Sequence, residues 1–322
     1  MHIGIDLGGT NISAALVDGG GGIIKRVSMP TGGADGARAV TGGILRVCDM
    51  LIGKTKAAPL SVGIGIPGTV NAETGEVIFT PNLPLSGINI VGSVKKKYGC
   101  PVHIGNDANC AALGEAIIGC AKDAQSAVLV TLGTGVGGGV ILNGRLHSGL
   151  SGAAGELGHM VIIAGGRECG CGRRGCWETY ASATGLVRTA KEFIGPHSNS
   201  SIWELCGGSI DKIDGRMVFD AYRSDDSAAR LAVEMYIEHL AAGIVNIINM
   251  LEPEIVCVGG GISNEWDCIE APLKAAVDTE KYSRYTVNAP TTRLVQAQLG
   301  NDAGIIGAAM LGIRETYDTL LN

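Results

Sequence analysis

Residues 6–19 read DLGGTNISAALVDG, and residues 131–144 read TLGTGVGGGVILNG. At a constant offset of 125 (131 − 6), Leu132 and Gly133 of the second stretch fall on a leucine and a glycine of the first. Each stretch has the pattern of a strand, a glycine turn and a second apolar strand. Two copies of such a unit predict a duplicated chain, with two similar α/β domains facing a cleft. The alternative is that both stretches are ordinary glycine hairpins.

The pattern of apolar residues predicts how the chain continues around this repeat. Antiparallel strands are predicted at 2–7, 12–18 and 23–29, and a buried strand is predicted to end at Gly68. Helices are predicted over 36–53, 89–99, 108–119, 177–194, 225–250 and 303–317. The last helix is expected to pack back on the first domain. The predicted domains are therefore a small N-terminal α/β domain (1–105 plus 303–322) and a large α/β domain (106–302) with a cysteine-rich turn.

The composition excludes several classes of protein. Of 322 residues, 51 are glycine, about double the average share of roughly 7%, but they show no collagen-like period. With 46% hydrophobic and 17% charged residues the chain is not disordered. A net charge of -6 without a long basic run argues against nucleic acid as a partner. Neither a signal peptide nor a membrane span is visible, so a cytoplasmic protein without a membrane partner is expected.

Three glycine turns are candidates for a nucleotide site. They lie at 6–11, 131–135 and 259–261, and neither a Walker A loop nor a Rossmann fingerprint occurs. Backbone N–H groups of such turns can face phosphate oxygens because no Cβ intervenes. Asp6 is placed to hold Mg²⁺ through water, and the third turn could admit an adenine ring. The predicted ATP and Mg²⁺ residues are Asp6, Gly8, Gly9, Thr10, Asn11, Thr134, Gly135, Gly260 and Gly261.

One imidazole and three thiolates form the sharpest local pattern. His159, Cys169, Cys171 and Cys176 are the number and type of ligands that a closed tetrahedral Zn²⁺ site requires, so a structural zinc is predicted. The alternative is a set of reactive cysteines without a metal. The other seven cysteines lie mainly in apolar contexts and are predicted to be core residues.

Carboxylates and amides near these turns are candidates for catalysis and for binding hydroxyl groups. Asp107 follows an apolar strand and is the candidate catalytic carboxylate, although Asn106-Asp107 also fits a helix N-cap. Glu156 and Glu178 flank the cysteine-rich turn and suit hydrogen bonds to sugar hydroxyls. Their alternative is a pair of solvated acids. Asn82 lies in a proline-flanked turn that is ambiguous by itself.

Taken together and in order, these motifs resemble the ROK family of sugar kinases, repressors and open reading frames. The matching stretches, which cover essentially the whole chain, are DLGGT (6–10), GIGIPG (63–68), PNL (81–83), NDAN (106–109), LGTGVGGG (132–139), ELGH (156–159), the three cysteines with Glu178, and GGG (259–261). The resemblance implies the actin-like, ribonuclease-H-like ATPase fold with two α/β domains around a cleft.

The resemblance also implies ATP-dependent phosphorylation of a hexose at its 6-hydroxyl, with Asp107 as the general base. It implies that the sugar is bound by Gly68, Asn82, Asn106, Asp107, Glu156, His159 and Glu178, with His159 serving zinc through one ring nitrogen and sugar through the other. The segment CWETYASATG (176–185) is similar to the glucokinase branch. The alternatives are an N-acetylglucosamine, N-acetylmannosamine or fructose kinase, and a non-catalytic sugar sensor. A DNA-binding repressor is not expected, because the first turn begins at Asp6. Family habit suggests a homodimer or homotetramer.

Overall fold

The computed structural model describes residues 1–53, 58–195, 199–286 and 289–320, with side chains described as far as residue 313. Its strands, in chain order, are β1 (His2–Leu7), β2 (Asn11–Val17), β3 (Ile23–Pro30), β4 (Ser61–Ile66), β5 (Thr69–Asn71), β6 (Glu76–Phe79), β7 (Ile88–Asn89), β8 (Val102–Asn106), β9 (Ala127–Leu132), β10 (Val136–Leu142), β11 (Arg145–Leu146), β12 (Ile255–Gly259) and β13 (Arg293–Gln296). Its helices are α1 (Ala37–Ile52), α2 (Ile90–Tyr98), α3 (Asp107–Ile117), α4 (Glu178–Ala181), α5 (Ala183–Ile194), α6 (Ser201–Leu205), α7 (Gly215–Arg223), α8 (Ser227–Leu251), α9 (Trp266–Glu280) and α10 (Ala303–Leu320).

The chain divides into two compact units. Unit 1 comprises Met1–Leu129, Gly139–Gly155 and Ala297–Asn322, and unit 2 comprises Val130–Gly138 and Glu156–Gln296. These units are defined by compactness alone, so the predicted domain boundary at residue 106 stays a prediction. Residues 321–322 of the predicted small domain lie outside the described residues.

Unit 1 contains a five-stranded sheet with the order β3-β2-β1-β4-β8. β1 pairs antiparallel with β2, and β2 with β3, which confirms the three predicted antiparallel strands. β1, β4 and β8 are parallel. Apolar side chains such as Ile5, Ile64 and Ile44 form one fully buried core between this sheet and α1. Because the three parallel strands end at the same edge, the residues at their carboxyl ends lie close together, which is where open α/β sheets bind ligands.

Helix α10 packs on β1, β4 and α3 of unit 1, as predicted for the last helix. Glycines at these contacts let two backbones approach closely. A Cβ on Gly63 would lie 1.7 Å from the Ala308 carbonyl oxygen, and a Cβ on Gly307 would lie 1.6 Å from that of Cys110. Part of the glycine surplus therefore serves helix packing and has no connection with a ligand.

A second five-stranded sheet has the order β11-β10-β9-β12-β13. In unit 2, the long helix α8 packs against α4, α5, α7 and α9. This helix is long and apolar enough to cross a membrane by length and composition, but 61% of its apolar window is buried inside the protein. Its buried Tyr236 donates a hydrogen bond from its hydroxyl to the Ala181 carbonyl at 2.8 Å. The burial pattern is thus that of a core helix.

Two predicted helices differ from the observed ones. The helix predicted over 177–194 is interrupted at Ser182, whose extended backbone and hydroxyl cap α5 by accepting the N–H of Gly185 at 3.0 Å. The helix predicted over 108–119 begins one residue earlier, at Asp107, because Asn106 is its N-cap. The remaining predicted helices agree with the observed ones within about three residues.

Candidate active site and metal centre

Asn106, and not Asp107, caps helix α3. The Asn106 Oδ1 accepts the N–H of Asn109 at 3.0 Å, and its Nδ2 donates to the Gly68 carbonyl at 3.1 Å. Asp107 is the first helical residue, and its Oδ1 accepts the N–H of Ala108 at 2.9 Å. The N-cap interpretation therefore applies to Asn106 and not to Asp107. Asp107 lies at the carboxyl end of β8, beside the ends of β4 and β1.

Asp6 lies near the end of β1 and is half-buried. Burial, and then the negative charge of Asp107, raise the pKa of Asp6 to about 6. A Cβ on Gly304, in the first turn of α10, would lie 3.3 Å from the Asp6 carboxyl carbon, so the helix approaches this carboxylate closely. Two acidic groups that destabilise each other's charge are a donor set that fits a hard divalent cation.

The first glycine turn follows Asp6 and is held through its carbonyl groups. The Thr31 N–H donates to the Thr10 carbonyl at 2.8 Å, and the Thr31 hydroxyl donates to the Gly8 carbonyl at 2.7 Å. Within the turn, the Gly8 N–H donates to the Asn11 carbonyl at 2.9 Å. A Cβ on Gly9 would meet nothing within 4 Å among the described residues, so packing does not require glycine there.

The second glycine turn, in unit 2, is also held through its carbonyl groups. The Ala183 N–H donates to the Gly133 carbonyl at 2.8 Å, and the Thr184 hydroxyl donates to the Thr134 carbonyl at 3.0 Å. A Cβ on Gly133 would meet nothing within 4 Å of it in the described chain. A Cβ on Gly135 would lie 2.3 Å from the Glu178 carboxylate. Open space above Gly133, like that above Gly9, leaves room for a close ligand.

The third glycine turn lies against the second one in unit 2. Gly260 has a φ of +83°, and a Cβ there would lie 2.5 Å from the Leu132 carbonyl oxygen. Glycine is therefore required at 260 by the fold itself. At Gly261 a Cβ would be unobstructed by any described residue. Of this predicted pair, Gly261 is the residue whose side-chain position is open to a ligand.

The four predicted metal ligands come together in unit 2. The ligand atoms of His159, Cys169, Cys171 and Cys176 all lie within 4.8 Å of one another. The Cys171 and Cys176 sulfurs are 3.7 Å apart, and Cys169 Sγ is 3.6 Å from His159 Nδ1. A tetrahedron with metal–sulfur bonds of about 2.3 Å has sulfur–sulfur edges of about 3.8 Å. The cluster thus has the size and the donors of a closed tetrahedral metal site. Outside it, six of the other cysteines are buried, as predicted for core residues, and Cys120 is half-buried.

The residues around the metal cluster take distinct positions. Glu178 Oε2 accepts the Val136 N–H at 3.1 Å, while Glu178 Oε1 lies 3.9 Å from Cys169 Sγ. Glu156 is exposed and begins the 3-10 turn that carries His159. In unit 1, Asn82 is exposed in the loop between β6 and β7. Gly68 has a φ of +126°, and a Cβ there would lie 2.2 Å from the Phe79 carbonyl oxygen, so β6 requires glycine at this position.

Sequence reasoning missed Thr31, Thr184 and Asn109. Thr31 is separated by 23 residues from the carbonyl that its hydroxyl binds, and Thr184 by 50, so no local motif marks either contact. Asn109 is 4% exposed, and its Oδ1 has no hydrogen-bond partner among the described residues. The second asparagine of the NDAN motif was the available signal for Asn109.

The predicted fold class is confirmed by solved structures. A crystal structure of a ROK family glucokinase from Streptomyces griseus, in complex with glucose and AMPPNP, superimposes with a TM-score of 0.80 at 33% identity, over 96% of this chain and 98% of that one. The architecture is therefore the actin-like ATPase fold of ROK structures.

The family follows from the sequence. The ROK family profile matches residues 2–315, and the chain belongs to this family. A glucokinase of Thermotoga maritima is 38% identical over 316 residues, covering 96% of each chain. An N-acetyl-D-glucosamine kinase of Histophilus somni is 34% identical over 97% of this chain and 98% of that one.

Proposed function

We propose that the protein is an ATP-dependent hexokinase that phosphorylates glucose at the 6-hydroxyl. The proposal is supported by full-length similarity to glucokinases, one of which was solved with glucose and the nucleotide AMPPNP. It is also supported by turns in which Gly9, Gly133 and Gly261 leave open space where a side chain would stand. A phosphate group can approach backbone N–H groups at such positions.

The position of Asp107 carries the proposal. Asn106 is the N-cap of helix α3, and we assign the role of general base to Asp107, which follows the carboxyl end of β8. In the proposed reaction the sugar 6-oxygen attacks the γ-phosphorus, Asp107 accepts the hydroxyl proton, and ADP leaves. Phosphoryl transfer asks little more of the protein than positioning and neutralised phosphate charge.

We assign the remaining sugar hydroxyls to the other residues of the predicted sugar set. Asn106 uses one of its two amide hydrogens on Gly68 and keeps a second donor. Glu178 uses one oxygen on Val136, so its other lone pairs can accept from hydroxyls. The His159 Nδ1 faces Cys169, so Nε2 is the nitrogen proposed to bind sugar. Gly68, Asn82 and Glu156 complete the proposed sugar set.

Two metal ions belong to the proposal. Asp6 is proposed to hold Mg²⁺ through water, because its carboxylate adjoins both the first glycine turn and Asp107. Zn²⁺ is proposed for the His159 cluster, where three thiolates and one imidazole leave no open position, and it would supply rigidity to that turn. In this proposal His159, held in the cluster by one ring nitrogen, is the residue that orients the sugar.

An N-acetylglucosamine kinase is the second candidate, favoured by the Histophilus somni relative, which is almost as similar as the glucokinases. An N-acetylmannosamine or fructose kinase would use the same proposed catalytic residues. A coupled assay of ADP release with ATP, Mg²⁺ and each of these sugars tests the proposal. We expect the highest kcat/KM with glucose. A higher value with N-acetylglucosamine would select the second candidate, and sugar binding without turnover would indicate a non-catalytic sensor.

The proposed partners are a hexose and ATP, together with a second copy of the chain. A homodimer or homotetramer in the cytoplasm, without nucleic acid or membrane partners, stays a prediction. Sedimentation velocity at micromolar concentration measures the assembly. A single monomeric species would contradict the oligomer.

A further inference from the structure

The two contacts that hold the second glycine turn also orient its N–H groups. Ala183 and Thr184, the first two residues of α5, bind the carbonyl oxygens of Gly133 and Thr134 at 2.8 and 3.0 Å. In a planar trans peptide the N–H points opposite to the carbonyl of the same unit. The N–H groups of Thr134 and Gly135 therefore point away from α5, and these are the groups predicted to meet phosphate.

The start of α5 is joined to the metal turn by short hydrogen-bonded steps. The N–H and the hydroxyl of Thr179 both donate to the carbonyl of Cys176, at 3.0 and 2.8 Å. The Ser182 N–H then donates to the Glu178 carbonyl at 3.2 Å, and Ser182 caps α5. Few free torsions remain between Cys176 and Thr184.

A second path joins the metal turn to the same glycine turn. The Glu178 carboxylate accepts the N–H of Val136 with one oxygen, and its other oxygen lies 3.9 Å from the Cys169 sulfur. A Cβ on Gly135 would strike this carboxylate at 2.3 Å, so the turn and Glu178 are in close contact. Movement of the metal turn would therefore reach the glycine turn from two sides.

We propose that Thr184 is a positioning residue for the nucleotide and that the metal centre influences nucleotide affinity through it. The inference rests on the proposed binding of ATP phosphates at the second glycine turn. It differs from the His159 route, which joins the metal to the sugar. Loss of the Thr184 hydroxyl would release the Thr134 carbonyl and let the Gly135 N–H turn away from phosphate.

Calorimetric titration of the full chain with AMPPNP tests the role of Thr184. We expect Thr184→Val to weaken AMPPNP binding about fivefold, the effect of one neutral hydrogen bond, and glucose binding to stay within about twofold. Thr184→Ser keeps the hydroxyl and should restore binding. Thr279→Val is the matched control, because Thr279 is exposed in the same unit and its hydroxyl donates to the Ala275 carbonyl at 2.8 Å. Binding unchanged in Thr184→Val would overturn the inference, and absence of AMPPNP binding to the wild type would overturn the proposed function as well.

Coupling to the metal is tested by reciprocity, since a metal that tightens nucleotide binding must itself be tightened by nucleotide. The zinc Kd is measured with a competing chelator, with and without saturating AMPPNP. We expect AMPPNP to lower the zinc Kd severalfold in the wild type and by a smaller factor in Thr184→Val. Equal factors in the two proteins would refute transmission through Thr184, and a factor of one in the wild type would refute the coupling.

Discussion

The two glycine turns of the repeat are held by the same two kinds of donor. In the first, Thr31 supplies both an N–H and a hydroxyl to carbonyl oxygens of the turn. In the second, the N–H comes from Ala183 and the hydroxyl from Thr184. Each turn thus has its carbonyls fixed by one backbone and one threonine donor. Such an arrangement presents the opposite, N–H side of the peptides to a ligand.

The charges around the two turns differ. At the repeat offset, Thr131 stands where the first turn has Asp6, so only the first turn carries its own carboxylate. Beside the second turn, the carboxylate is that of Glu178, which binds the Val136 N–H and adjoins the metal cluster. The shared geometry suits phosphate in both places. From this difference we expect the first turn to serve the chemistry and the second to serve positioning.

The largest effect is expected for Asp107→Asn, which should impair the chemical step and keep sugar binding. Asp107→Asn keeps the size and position of the side chain but removes the base. We expect kcat to fall by roughly 10²–10⁴, the contribution of a positioned general base. Steady-state kinetics measure this loss, and calorimetry with glucose checks that sugar affinity is kept. A kcat within tenfold of the wild type would contradict the role of Asp107.

The second largest effect concerns the Asp6 carboxylate of the first turn, which has no counterpart in the second. With a pKa of about 6 against an ordinary 3.8, folded Asp6 holds its proton over a pH range in which the unfolded chain has lost it. The free energy of unfolding without Mg²⁺ should therefore fall as pH rises from about 4 to about 6, by on the order of 2–3 kcal/mol.

Denaturant unfolding of the wild type and Asp6→Asn across this pH range measures the difference. Asp6→Asn should lack this fall and be the more stable protein at pH 7. In Asp107→Asn the fall should move to lower pH, because the neighbouring charge is gone. Identical profiles for the wild type and Asp6→Asn would show that Asp6 does not carry the buried charge.

The metal cluster provides the third test, on the side of the second turn. Cys171→Ser removes one of four ligands, so we expect zinc content to fall below one per chain. Glucose affinity should fall by about tenfold to a hundredfold, because the metal orients His159. Elemental analysis and calorimetry measure the two effects. Cys120→Ser, outside the cluster, is the matched control. Full zinc content with unaltered glucose affinity in Cys171→Ser would contradict the coupling between the metal and sugar binding.

The parts of the site that could be predicted were those with local patterns. The metal ligands lie within 18 positions (176 − 159 = 17 steps), so their spacing shows a site directly. The N-cap at Asn106 was ambiguous, because asparagine and aspartate cap equally well and only the backbone decides between neighbours. Thr31 and Thr184 act through carbonyl contacts across long stretches of chain, which no spacing records.

Glycine shows the limit of composition as a guide. The glycine turns at 6–11 and 131–135 are predicted to face phosphate, and the open positions Gly9 and Gly133 agree with that prediction. Gly63 and Gly307 instead allow α10 to approach the sheet and α3, and this packing depends on elements more than 190 residues apart. Sequence alone could not distinguish a glycine that faces a ligand from one that faces a helix.

The smallest effects are expected when alanine replaces a glycine of either turn that faces open space. Gly133→Ala adds a methyl group where no described atom stands within 4 Å, so the free energy of unfolding should change by less than about 0.5 kcal/mol. The methyl group would meet the phosphate, so we expect the KM for ATP to rise roughly fivefold. Gly9→Ala should behave alike if the two turns share one role.

Gly260→Ala is the contrasting variant, since its backbone has a φ of +83° and its Cβ would lie 2.5 Å from the Leu132 carbonyl oxygen. It should destabilise the fold by about 1–3 kcal/mol. Thermal unfolding and ATP kinetics of the three variants distinguish a glycine required by packing from a glycine required by a bound phosphate. If Gly133→Ala destabilises the fold as much as Gly260→Ala, glycine at the second turn serves packing. If Gly9→Ala raises the KM for ATP and Gly133→Ala does not, phosphate is bound by the first turn and the second turn has another role.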